Sequence, residues 1–398
     1  MDYADNDALF ISAARTPFGR FGGGLSSLTA VDLGARTIAE VVARAGIEGE
    51  RVDQVIMGTV ITAGMGQVPA RQAALQAGLP TSVNALTVNK VCASSLKAVN
   101  LGAIMIRAGE AQVVVAGGME SMSQAPYLLP GARFGLRMNN AEMIDSMQYD
   151  GLRCPVGRTL MADYGSEVAA EYEVSREEQD RWALRSQQRY ADALGAGRLD
   201  DEVIAVEIPQ RRGDPVLVER DEQPRPQTTL EALAGLRPTR EGGSITAGNA
   251  PGVNDGASSV LMVSGREARS RGLRPLGIWR AQGEAAEPVK YLATVPAYAL
   301  EAALRKLGRS ATDLDLVEIN EAFAAVAIIA SNLLGVDPQR VNVNGGAVAV
   351  GHPIGASGTR ILMGLLYELR RRGGGLGGAA ICSGMAQGEA TVVQVPTS

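Results

Sequence analysis

Histidine is nearly absent from this 398-residue chain, which has only His352, and cysteine is scarce, with Cys92, Cys154 and Cys382 alone. Three thiols, an odd number with no close pair, exclude a disulfide framework and point to reduced cysteines in a cytoplasmic protein. Three cysteines and a histidine could in principle make a Cys3His zinc site. Zinc ligands normally come at least partly in pairs roughly two to four residues apart, whereas 92, 154, 352 and 382 are all distant, so no metal is expected. A basic excess is missing too: 38 Lys and Arg stand against 43 Asp and Glu, and apart from Arg370-Arg371-Arg372 they are scattered. That leaves no electrostatic footprint for a nucleic-acid partner. No apolar run approaches the roughly 18 residues that span a bilayer, and residues 1–7 are acidic, so no membrane partner is expected. What is abundant is glycine, 48 residues clustered in turns, which implies a compact fold with many tight strand-helix junctions.

The hydrophobic pattern alternates between strand and helix. Residues 8–12 read as a buried strand, 31–45 as a helix stopped by Gly46, 53–58 as a strand, 92–107 as a helix, and 112–118 as a strand ending in glycines. This order suggests a parallel sheet with crossover helices. It recurs as a helix over 298–307 stopped by Gly308, a strand over 315–320, a helix over 356–370 and a strand over 379–382. Gly46 and Gly308 are 262 residues apart, as are Asp53 and Asp315, and Cys92 falls one residue out of register with Gly355. Three landmarks at nearly one offset favour an internal duplication into two similar α/β halves. Between them, residues 122–245 are rich in Arg, Asp, Glu and Gln and include a helix over 176–194, introduced by the capping-box pair Ser175 and Glu178.

Cys92, in Asn89-Lys90-Val91-Cys92-Ala93-Ser94, sits at the expected N-terminus of an apolar helix, where free N–H groups and the helix dipole would lower its pKa and make it a nucleophile. Cys382 follows a buried strand and precedes Ser383-Gly384-Met385-Ala386, a similar glycine-flanked setting. His352 lies in a glycine-dense turn, 344–358, that opens a helix. Each cysteine could equally be a small buried packing residue, and a Cys-His hydrolase would use Cys92 and His352 but leave Cys382 idle. Cys154, in Arg153-Cys154-Pro155, has no supporting context and reads as a bystander.

These segments, with Asn320-Glu321-Ala322-Phe323-Ala324, resemble the thiolase family in order and along essentially the whole chain. Met119-Glu120-Ser121-Met122-Ser123, Thr246-Ala247-Gly248-Asn249-Ala250 and Asn254-Asp255-Gly256-Ala257 are further matches. The resemblance implies an α/β fold of duplicated βαβαβ halves in a five-layered α-β-α-β-α core. The N-terminal half would be 1–122 with 248–273, the inserted loop domain for coenzyme A and oligomer contacts 123–247, and the C-terminal half 274–398. It implies that Cys92 is acylated by an acyl-CoA with His352 activating it, and that Cys382 moves the α-proton of a second acetyl-CoA. His352 and a water held by Asn320 would stabilise the enolate oxygen, and the N–H groups of Cys92 and Gly384 the acyl oxyanion.

For coenzyme A the resemblance points to Leu152, Met161, Arg225, Ala247 and Phe323. No cofactor is implied, since coenzyme A thioesters are substrates, and the assembly expected is a homotetramer built from dimers. Departures from the family pattern are Leu160 for a His, Pro251 for a Ser, no Phe in Thr239-Arg240-Glu241-Gly242, Ser95 for a Gly, and Met385-Ala386 for two glycines. The activity implied is acetyl-CoA C-acetyltransferase, with a degradative 3-ketoacyl-CoA thiolase of longer chain length as the alternative. From another class, a non-catalytic coenzyme A-binding or zinc-stabilised protein stays open.

Overall fold

The computed structural model describes residues 3–397; Met1, Asp2 and Ser398, at the ends of the two expected halves, lie outside them. The strands that matter are β1 (Ala8–Arg15), β2 (Gln54–Gly58), β3 (Asn84–Val88), β4 (Val113–Ser121), β5 (Asn254–Ser264), β6 (Gly277–Ala286), β7 (Leu316–Ile319), β8 (Gly375–Ser383) and β9 (Gln387–Val395). They run in the spatial order β7-β8-β9-β6-β1-β5-β4-β2-β3, with the short strand Gly19–Arg20 attached to β5. Only Leu9 and Phe10 of β1 pair with β6, at Ile278 and Gly277, so the array is two half-sheets joined by a two-residue seam.

Helices cover both faces of each half-sheet. Ala30–Ala45 (α1) packs on β4 and β5, and Ser94–Ala108 (α3) on the other face of that half, after Pro69–Gln76 (α2) has crossed toward β3. Val295–Arg305 (α6) lies on β6 and β9, Ala324–Leu334 (α7) beside it, and Ser357–Arg371 (α8) on β7 and β8. Helices α3 and α8 meet each other between the half-sheets, in one core cluster that draws Leu96 and Val99 from one half and Ile361, Leu365, Ile381 and Val393 from the other. The result is the α/β five-layer arrangement. Because both faces of β4 and β5 are covered, every residue of these strands is buried, which is why they read as continuous apolar runs.

Strand direction departs from the parallel sheet expected. β2 is parallel to β3 and β4, and β7 to β8, but β1, β5, β6 and β9 pair antiparallel. Crossover helices account for the parallel pairs. β9 follows β8 through a three-residue turn, and so short a link returns a strand antiparallel. The membrane expectation also needs correction on one point: Val91–Ala108 is an 18-residue window with mean hydropathy 1.3, long and apolar enough by composition to cross a bilayer. In the fold it is 56% buried, as the core helix between two sheets.

The inserted region contains Met161–Glu171 (α4) and Arg176–Gly195 (α5). The capping box is present, with Ser175 N donating to Glu178 Oε2 at 2.7 Å. Fully buried Arg15, at the end of β1, reaches into this region and pairs with Asp221 at 2.6 Å and Glu202 at 2.9 Å. Tyr190 of α5 donates to the same Asp221 at 2.8 Å. Removing one partner of so buried a set would leave an uncompensated charge, so the insertion is bolted to the core.

Candidate active site

The Cys92 turn is held in an unfavourable backbone conformation. Val91 has φ 44°, in the left-handed region that β-branched residues avoid. Four bonds hold it there: Asn89 Oδ1 accepts from Val91 N at 3.0 Å, Ser94 Oγ accepts from Lys90 N at 2.8 Å and donates to Val91 O at 2.6 Å, and Ser383 Oγ donates to Lys90 O at 2.6 Å. The last of these ties the Cys92 turn to the Cys382 turn. Lys90 strengthens the tie, its Nζ lying 2.7 Å from buried Glu389 on β9 and 2.6 Å from Glu284 on β6.

Cys92 precedes the helix rather than starting it: Ala93 is the N-cap and α3 begins at Ser94. Its side chain, like that of Leu152, packs against the cluster of Val60, Ile61, Met122 and Ile354. Burial pushes its pKa up to about 12, against the pull of the N–H groups of Gly384 and of Cys92 itself. The expected lowering by the helix terminus is therefore reversed in the free protein, because loss of water outweighs a dipole one residue away. Those two N–H groups nonetheless face one sulfur, and they are the pair expected to serve an oxyanion. Cys382, at the end of β8, is buried, and its pKa is raised well above the ordinary value by burial first and then by the charge of Cys92. The two thiols are near enough to feel each other.

His352 is positioned from three sides. Its N–H donates to Asn254 Oδ1 at 2.8 Å, and Gly351 leaves room for that amide, since a Cβ there would stand 2.7 Å from Asn254. Ser357 Oγ donates to Pro353 O at 3.0 Å and sits 2.5 Å from His352 Nδ1. Where that hydroxyl donates to Pro353 O, it accepts from Nδ1–H and leaves the lone pair on Nε2. Nε2 is buried with no partner among the described residues. Burial, followed by the Arg360 charge, lowers the imidazole pKa to about 3, so it stays a neutral base.

Asn320 follows β7, with its N–H on Ala380 O of β8, two residues before Cys382. Both of its side-chain polar atoms are buried and have no partner among the described residues. Native interiors seldom leave such groups unsatisfied, and a catalytic use is one standing explanation.

Three neighbours were quoted in sequence motifs without a role. Glu120, at the end of β4, accepts from Val60 N, Ile61 N and Gly355 N at 2.9 to 3.2 Å, and burial lifts its pKa to about 7 against those donors. It fastens the corner after His352 to the other half. Glu321 accepts from Trp182 Nε1, Ser186 Oγ, Asn342 Nδ2 and Val348 N, and so joins α5 to the segment before His352. Ser357 sets the imidazole. For Glu120 and Ser357 the available signal was a polar residue in a glycine-rich segment, and for Glu321 its place in Asn320-Glu321-Ala322-Phe323-Ala324.

The coenzyme A candidates fall into three places. Leu152 packs in the Cys92 cluster, while half-buried Met161 and Phe323 belong to the cluster around Cys382. Exposed Arg225 and Ala247 line a separate cleft of about 180 Å³ with Gln187, Thr228 and Leu233. Cys154 is buried in the Cys382 cluster with its Sγ 3.7 Å from Met385 Sδ. Among the described residues no three His, Cys, Asp or Glu side chains gather as a metal-ligating set.

Fold and site together define an enzyme with paired thiols and a neutral imidazole where two duplicated α/β halves meet. The pattern of the thiolase N-terminal domain matches residues 8–266 and that of the C-terminal domain 273–395, and the chain belongs to the thiolase family. It is 48% identical to an acetyl-CoA acetyltransferase of Cupriavidus necator, over 98% of this chain and 99% of that protein. An acetyl-CoA acetyltransferase of Pseudomonas aeruginosa is also 48% identical, over 96% and 98%. A probable acetyl-CoA acyltransferase of Staphylococcus epidermidis is 44% identical, over 96% and 97%.

Proposed function

We propose that this thiolase interconverts two acetyl-CoA with acetoacetyl-CoA and CoA by a two-step ping-pong route. The observation that carries the reading is a neutral imidazole with a free buried lone pair, together with an unpartnered buried amide, in the seam that holds two thiols. Cys92 gives its proton to His352 Nε2 as the sulfur attacks the thioester carbonyl, and the leaving CoA thiolate takes that proton. Cys382 gives its own proton to the freed His352 Nε2 and then removes the α-proton of the second acetyl-CoA. The resulting enolate attacks the acetyl-Cys92 carbonyl and expels the Cys92 thiolate, which takes the proton back from His352. His352 and the water on Asn320 carry the enolate oxygen, and the N–H groups of Cys92 and Gly384 the tetrahedral oxyanion. Leu152, Met161, Phe323, Arg225 and Ala247 hold the coenzyme A. No other cofactor is needed.

The test is intact mass after incubation with acetyl-CoA. One acetyl adduct is expected on the wild type and none on Cys92→Ala, while Cys382→Ser keeps the adduct but yields no acetoacetyl-CoA. An adduct on Cys92→Ala, or its loss in Cys382→Ser, would overturn the assignment. Leu160 and Pro251, apolar where the family carries polar side chains, favour a second reading as a thiolase of longer 3-ketoacyl-CoA. Thiolysis rates that peak at six or more acyl carbons would select it.

Three free thiols support a reducing, cytoplasmic setting. A homotetramer is supported by exposed Phe134, Leu136, Met138 and Met143, which need cover from another copy. Light scattering at about four times the 41.5 kDa chain would agree with it.

A further inference from the structure

We propose that Met385, buttressed by Cys154, is the side chain that limits acyl length at the Cys382 end of the pocket. The proposal rests on the thiolase reading above and names the specificity of that site. Met385 and Ala386 have φ 64° and 47°, two consecutive left-handed residues with Cβ atoms directly after the oxyanion candidate Gly384. Glycine takes this conformation without steric penalty and other residues do not, so a chain that keeps Met here is holding the side chain against a backbone preference. The turn cannot relax easily. Ala386 is fully buried, and its carbonyl accepts from Glu287 N at 3.0 Å.

The Met385 side chain is half-buried in the apolar cluster that contains Cys382, Met161, Phe323 and Leu292. Its sulfur rests 3.7 Å from the Cys154 thiol. That thiol is in turn fixed from behind: Gly157 N donates to Cys154 Sγ at 3.4 Å, and Cys154 N to Thr159 O at 2.8 Å, in a short loop that leads through Leu160 into α4. Thiol and thioether therefore close the space between the Cys382 turn and the loop before Met161. Glycine at 385 would vacate the volume of a four-atom side chain in the cluster that contains Cys382, about the room that two to four further acyl methylenes require. A wall of this kind discriminates by the fit of each methylene, roughly 10- to 200-fold apiece at best.

The experiment compares kcat/KM for thiolysis of 3-ketohexanoyl- and 3-ketooctanoyl-CoA with that for acetoacetyl-CoA in the wild type, Met385→Gly, Met385→Ala and Cys154→Ala. Met385→Gly is the main variant because the backbone already suits glycine. The longer-to-shorter ratio is expected to rise at least about 10-fold in Met385→Gly and Met385→Ala, and less, in the same direction, in Cys154→Ala. A ratio within about twofold of wild type in both Met385 variants would overturn the proposal. So would failure of Met385→Gly to fold, since the side chain would then be a core prop rather than a wall. If the wild type itself prefers six or more acyl carbons, the acetyl reading fails separately, and the variant-to-wild-type change still reports on the wall.

Discussion

The two halves of this molecule begin their central helices alike and end their central strands differently. α3 and α8 each start after an alanine N-cap in the helical region, Ala93 (φ −84°) and Ala356 (φ −105°), neither with a side-chain cap. Each first turn is closed by backbone instead, Ser94 N donating to Val91 O and Ser357 N to Pro353 O, and Ser95 Oγ of α3 accepts from Thr359 N of α8. Asp53 and Asp315, 262 residues apart, do the same work: Asp53 Oδ2 accepts from Gln112 N and Val113 N where β4 starts, and Asp315 Oδ2 from Leu376 N near the start of β8. At the same offset, β4 delivers Glu120 where β8 delivers Cys382. The carboxyl ties down three backbone N–H groups, and the thiol is left for the pocket. A duplicated scaffold keeps its strand-helix geometry while one equivalent position holds the loops and the other carries the thiol to which the proposed function gives the proton transfer.

That contrast predicts unequal costs at equivalent positions. Cys382→Ser is expected to lower condensation about a thousandfold or more, the scale of a lost general acid-base group, with little change in the urea midpoint. Glu120→Gln is expected to lower turnover less than about tenfold while destabilising by roughly 2 kcal/mol, because an amide –NH2 would face backbone donors. Equal losses of activity in the two would break the comparison.

A second contrast uses the single histidine. In the folded state its pKa is lowered to about 3, while in the unfolded chain it takes its ordinary value of 6.5. A base depressed in this way contributes stability that is complete above pH 6.5 and is lost as pH falls toward 3, at about 1.4 kcal/mol per pH unit. His352→Gln removes that slope and leaves every carboxylate in place. The stability difference between wild type and His352→Gln, from urea melts at pH 7, 6, 5 and 4, should therefore move against the wild type as pH falls. A difference that stays constant with pH would mean that the imidazole is hydrated. The smallest effect sharpens the symmetry itself: Asp53→Ala and Asp315→Ala should each cost about 1 kcal/mol, and values differing by more than about 1 kcal/mol in thermal melts would deny them a shared role.

Most of the scaffold was readable before any coordinates. The helix expected over 31–45 runs Ala30–Ala45, that over 176–194 runs Arg176–Gly195, and the strand expected over 315–320 is Leu316–Ile319. Periodicity, a capping box and a terminal glycine are local signals, so they survive without tertiary information. The thiol pKa was misjudged because the helix dipole is visible in sequence whereas Ile61 and Ile354, which help dry the sulfur, come from distant segments. The contact between Cys154 and Met385 was out of sight for the same reason, since Met385 lies 231 residues further along the chain.

Chain order alone carried the alternation of strands and helices, the duplication, and the kinds of reactive atom available, because these depend on neighbours within a few turns of backbone. Which thiols are buried, how the imidazole is held and which carboxyl fastens the loops were settled only when the two half-sheets closed on α3 and α8. Solvation and hydrogen-bond partners belong to the packed interior, and in this protein that interior is assembled from residues some 260 positions apart.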